Sequence, residues 1–180
     1  MDFTLTDEQT AVADLAARIL SEQATPERVR DIETDPAGDW FDRALWSELA
    51  KADLLGLGLP DAHGGGGYGF FELALLLEQV GRTVAPVPVY ATLALGALPL
   101  ARFGTEAQQA AWLPGVAAGD VVLTAALSEG GDGLPPVVPA TVATAAGDGW
   151  RLSGSKALVP SGHLAQRVLV QLSFTNYRSE

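Results

Sequence analysis

The chain has 180 residues, a formal net charge of −11, and a composition that is 48% hydrophobic and 18% charged. These proportions are too apolar for disorder and too interrupted for a membrane protein, and the acidic balance excludes nucleic acid or an anionic membrane as the main partner. Cysteine is absent, which excludes disulfides, thiol chemistry and thiolate zinc sites.

The opening "MDFTLTDEQT" carries acids where a secretory signal needs a basic and then an apolar segment, so a cytoplasmic protein is expected. "TDEQ" at 6 to 9 reads as a capping box, with Val12, Leu15, Ala16, Ile19 and Leu20 following at helical spacing. A second, short helix is expected from Pro26, cut off by the acidic stretch "DIETDPAGD". A third, "FDRALWSELAKADLL", turns Phe41, Leu45, Leu49 and Trp46 toward a core, and "FELALLLEQVGR" is apolar around most of its circumference, as a helix lying between other elements would be. The uncharged stretch Val84 to Ala101 approaches membrane-spanning length. Pro86, Pro88, Gly96 and Pro99 break it, so a buried helix near Tyr90 to Leu98 is expected and no span. "TEAQQAAWLPGVAAG" opens on a second capping box, Thr105 with Gln108.

The texture changes at Val121. "VVLTAALS", "VVPATVATAA", "WRLSGSKALV" and "QRVLVQLSF" are short β-type runs, and "GDG" at 147 to 149 is a hairpin signal. The reading is α+β: an N-terminal all-helical bundle domain over 1–119, then a partial antiparallel β domain over 120–180.

Gly64, Gly66 and Gly69 have the G-x-G-x-x-G spacing of a dinucleotide loop, but Asp61, Ala62 and His63 stand where a strand must run into the first glycine, and no acidic strand end follows about 20 positions later. A tight turn with positive φ leading into the long apolar helix is expected. "SGSK" at 153 to 156 matches the S-x-x-K of acyl-serine enzymes, yet its serine follows a hairpin strand where that chemistry needs a helix start. Asp31, Glu33 and Asp35 imitate a calcium loop, with Pro36 where the turn needs glycine. His63 and His163 have no carboxylate or serine at triad spacing. No catalytic residue and no metal ligand is therefore assigned.

The order of the segments goes further. "FTLTDEQ", "LLGLGLPDAHGGGGYGFFELALLLEQVGR", "FGTEAQQAAWLPGVAAGD", "TAALSE" and "GDGWRLSGSKALVPSGHLAQRVLV" resemble, in order and spacing, motifs of the acyl-CoA dehydrogenase family over about residues 3 to 170. The resemblance implies the family's helical domain and about half of its middle β domain, and hence a truncated or partial chain of a protein whose C-terminal bundle carries the glutamate base. It implies α,β-dehydrogenation of an acyl-CoA to the 2-enoyl-CoA with FAD as cofactor, an electron-transferring flavoprotein as acceptor, and a homo- or hetero-oligomer of related subunits.

On the matching positions, Ala125, Leu127 and Ser128 are expected against the pyrimidine side of the flavin and Leu158 and Pro160 beside its N5 edge. Tyr90, Ala91 and Leu95 are expected along the acyl pocket, and Leu134 where a serine meets the CoA arm. Pro160 replaces a threonine and brings neither hydroxyl nor N–H, while Leu158 replaces an aromatic ring. Glu129 belongs to the flavin-loop motif and is read as structural. The second expectation is a non-catalytic subunit or interaction module of a heteromeric member, and the third a helical scaffold without a ligand.

Overall fold

The computed structural model describes residues 4–130 and 135–174. Helix α1 (Asp7–Gln23) begins at the predicted capping box: the Gln9 N–H donates to Thr6 Oγ1 at 3.2 Å and the Thr6 N–H to Gln9 Oε1 at 3.0 Å. Val12, Ala16 and Leu20 are its buried stripe. Gln9 also donates to Glu72, whose other oxygen accepts the Gly69 N–H, so the starts of α1 and of α4 (Phe70–Thr83) are tied together along their mutual packing.

Helix α2 (Pro26–Thr34) runs further into the acidic stretch than the sequence suggested. Asp31 and Glu33 are tolerated on an exposed face, and the helix yields only at Asp35, which Pro36 forces out of helical conformation to ψ 110°. Helix α3 (Arg43–Lys51) is capped by the buried carboxylate of Asp42, which accepts the Leu45 N–H and is gripped by Arg28 of α2. That ion pair, helped by the capping N–H, holds the Asp42 carboxyl below its ordinary range. Leu45, Trp46 and Leu49 are buried as expected, and the Trp46 indole donates to the Gly119 carbonyl at 2.8 Å.

The four-glycine stretch forms a turn. Gly64 and Gly67 take φ of 79° and 66°, and a Cβ on Gly65 would lie 2.0 Å from the Leu59 carbonyl oxygen. A single 3-10 turn (Asp61–His63) precedes it, with no strand. Helix α4 is more one-sided than its composition suggested: Leu73, Leu75, Leu76 and Gln79 are buried while Phe70 and Phe71 are exposed.

The segment Tyr90–Ala97 is a π-helix leading directly into α5 (Leu98–Phe103). Pro99 has no N–H to give the carbonyl four residues back, and the chain widens: the Leu98 N–H donates to Leu93, five residues earlier. Among the described residues no helix is long and apolar enough to cross a membrane. Helix α6 (Glu106–Ala117) starts at the second predicted capping box.

The strands are β1 (Leu123–Ala126), β2 (Val142–Ala146), β3 (Gly149–Ser153), β4 (Arg167–Val170) and β5 (Ser173–Phe174). The predicted hairpin is present: β2 and β3 pair antiparallel, with Ala146 opposite Gly149 and Gly147 at φ 64°. The expectation of an antiparallel domain holds for that pair, whereas β1 pairs with β4 and β2 with β5 in parallel, giving two small sheets. Parallel partners need a long connection, and the hairpin is part of it.

All of β1 is buried, because it lies on the π-helical segment, and Leu123 joins the same apolar core as Leu20, Leu49, Leu76, Leu113 and Val116. The contact is closest at Gly96, where a Cβ would come within 2.4 Å of Leu123 Cβ. We expect Gly96→Ala to cost about 1–3 kcal/mol by overpacking this seam, measured by urea denaturation. An unchanged midpoint would show that the seam relaxes freely.

Candidate functional site

One cavity of about 200 Å³ opens where the π-helical segment meets the β1 end and the loop after β3. It is lined by Tyr90 and Leu95 of the π-helical segment, by Ala125, Leu127 and Ser128, by Leu158 and Pro160, and by Pro135. Seven of the residues singled out from the sequence therefore converge. Ala91 is buried in the π-helical segment and does not line the cavity, and Leu134 lies outside the described residues. Pro135 was not anticipated.

The loop carrying Leu158 and Pro160 is held in an unusual shape. Leu158 has φ 51° and Ser161 φ 52°, the left-handed region that a leucine enters at a cost of about 1–2 kcal/mol. Its flanks are pinned: the Ala157 N–H donates to the Ser128 carbonyl at 3.0 Å, and the buried Thr124 hydroxyl of β1 donates to the Pro160 carbonyl at 2.6 Å. The result is a leucine residue 77% exposed while lining the cavity. Strain held in place by surrounding bonds is characteristic of ligand-facing loops.

Behind the wall lies an ion pair. Lys156 Nζ and Glu129 Oε1 are 2.9 Å apart, with side chains 8% and 13% exposed, and Lys156 also donates to the Leu127 carbonyl at 3.2 Å. Glu129 further accepts the N–H groups of Ala140 and Thr141 at 2.7 and 2.9 Å. With Lys156 as the main cause and these backbone donors adding to it, its pKa is lowered to about 2. A carboxylate so satisfied is a poor proton acceptor at neutral pH, which fits the structural reading of Glu129. Lys156 was visible in the sequence only as the end of "SGSK". Ser153 of that motif is the last residue of β3, away from any helix start.

A larger polar cleft of about 370 Å³ lies elsewhere, between α3 and the loops at 118–122 and 163–166. There His163 Nε2 donates to the Asp39 carbonyl at 2.9 Å and its ring meets Trp40 edge-on. His63 lines neither of these two cavities.

Residues 6–120 match the family model "Acyl-CoA dehydrogenase, N-terminal domain". Among curated relatives, the acyl-CoA dehydrogenase FadE27 of Mycobacterium tuberculosis is 36% identical over 94% of this chain and 44% of its own length. A solved structure described as the Tcur3481-Tcur3483 steroid ACAD G363A variant superposes with a TM-score of 0.86 and 46% identity, over 95% of this chain and 46% of that one. The ChsE4-ChsE5 complex from Mycobacterium tuberculosis gives a TM-score of 0.86 and 33% identity, over 97% and 46%. The chain thus spans under half the length of each of these relatives.

The Glu129 pair makes a pH dependence testable. A folded pKa of about 2 against an ordinary 4.5 means that its stabilisation is complete above the unfolded value and is lost as pH falls from about 4.5 toward about 2. Glu129→Gln should therefore flatten the acid limb of unfolding free energy against pH, while leaving the neutral-to-alkaline slope unchanged.

Proposed function

The chain belongs to the acyl-CoA dehydrogenase family, and from this we propose that it supplies the helical domain (1–119) and the first part of the middle β domain (120–180) of an FAD-dependent acyl-CoA dehydrogenase. The observation that carries the reading is the single cavity joining Tyr90 and Leu95 to Ala125, Leu127, Ser128, Leu158 and Pro160, since flavin wall and acyl wall must meet for hydride to pass between them. The fit to a flavin is supported by the lining: segments 125–128 and 158–160, bonded to each other through Ser128 and Ala157, both border the cavity and together offer one continuous surface on which a planar ring can rest.

Bound there, FAD would supply the electron sink that accepts the β hydrogen of the acyl chain. The chain's own residues do the rest of the positioning. Ala125, Leu127 and Ser128 flank the pyrimidine side, and Leu158 with Pro160 covers the N5 edge and excludes water there. Pro160 offers no hydrogen bond at that edge: it has no N–H to donate, and its carbonyl already accepts from Thr124. Tyr90 and Leu95 back the acyl group, with Ala91 buried behind them in the same segment. No glutamate among the described residues lines the cavity, so the α proton is taken by a base from another segment or subunit. A bulky, steroid-type acyl group is suggested by the 46% likeness to a structure described as a steroid ACAD. Electrons leave to an electron-transferring flavoprotein.

A second reading is favoured by Pro160 and by the likeness to a two-protein complex: this chain is the non-catalytic partner in a hetero-oligomer of related subunits. Purification decides between them. The first reading requires a yellow protein that releases FAD on denaturation; a colourless chain that becomes part of a yellow assembly only with a related subunit gives the second. Exposed Phe70, Phe103, Trp150 and Phe174 lead us to expect association in either case, and sedimentation at micromolar concentration showing monomer alone would contradict it.

A further inference from the structure

We propose that Lys156 and Glu129 are positioning residues for the flavin, their ion pair fixing the direction of the Leu127–Ser128 peptide and the spacing of the two backbone segments that flank the cavity. The inference rests on the flavin reading above, and concerns residues outside the cavity lining.

Leu127 and Ser128 line the cavity, and Lys156 does not. Lys156 reaches the Leu127 carbonyl at 3.2 Å from behind that wall. No described peptide is cis, so the Leu127 carbonyl and the Ser128 N–H point to opposite sides of one plane. Holding the carbonyl on the Lys156 side turns that N–H toward the cavity side. The next carbonyl, of Ser128, is held by the Ala157 N–H, adjacent in sequence to Lys156. Two successive peptides of the 125–128 lining are thus bonded to residues 156 and 157, and within one and three residues the chain becomes Leu158 and Pro160, which also line the cavity. Any displacement of Lys156 moves both segments.

Glu129 determines where Lys156 sits. Its carboxylate accepts from Lys156 and from the N–H groups of Ala140 and Thr141, anchoring the ammonium to the start of β2. An apolar side chain at 156 would fill similar space but leave the Leu127 carbonyl without this donor and the half-buried Glu129 without its counter-charge. For that reason the informative variant removes both charges together.

In the intact FAD-loaded protein, the double variant Glu129→Gln/Lys156→Met should weaken FAD binding about tenfold, the equivalent of one well-placed hydrogen bond. It should also displace the two-electron midpoint potential and the visible spectrum of the bound flavin. Lys156→Arg, which keeps the charge and the donors, should restore the spectrum in part. Near-UV circular dichroism of the FAD-free protein serves as the folding control. A folded double variant with unchanged FAD affinity, potential and spectrum would overturn the proposal. So would a loss of affinity that merely follows loss of thermal stability while the potential stays fixed. If the unsubstituted protein takes up no FAD, alone or with a related subunit, the functional reading falls and the proposal with it; FAD uptake that the double variant retains intact refutes the positioning role alone.

Discussion

The close approach of β1 to the π-helical segment at Gly96 is the contact on which the rest of the architecture depends. It allows a fully buried strand to lie against a helix at a separation that any side chain at 96 would prevent. Because β1 is seated there, its far end delivers Ala125, Leu127 and Ser128 to the same place as Tyr90 and Leu95 of the segment beneath it. The core continues without a break from Leu20 and Leu49 of the helices to Leu123 of the strand. The helical part and the first sheet are consequently one packed body at this seam, whatever their separate histories as domains.

What the sequence disclosed follows the range of the interactions involved. The capping boxes at Thr6 and Thr105 and the hairpin at Gly147 are built from residues within four positions of each other, and each was legible. The stop of α2 was misplaced because acids are tolerated on an exposed helical face and only the proline two residues past Thr34 is decisive. The parallel pairings were not legible, since β1 and β4 are joined by nothing local, and the alternation in each run is the same for either direction. The π-helical widening was also hidden: Pro99 announces a disturbed helix but not which way the backbone will compensate.

The site shows the same division. Ordered motifs indicated which residues gather around the cavity, and seven of them do. The bonds that hold them there were not apparent. Glu129 and Lys156 are 27 residues apart, and nothing in their flanking sequence marks them as partners. The left-handed backbone of Leu158 is likewise a product of pinning from Thr124 and Ser128 rather than of any preference of leucine. Cavity-lining positions are read from order and identity, whereas the scaffold behind them depends on tertiary geometry.

The parallel ladder has a consequence for synthesis. Gln166 accepts the Val122 N–H across 44 residues, so during translation β1 leaves the ribosome well before the strand it will bond to exists. In that interval its only shelter is the helical layer already made, and its free edge is open to any other nascent strand. The tight seat at Gly96 thus acts as a placeholder, keeping an apolar edge occupied on one face until the chain arrives to complete it.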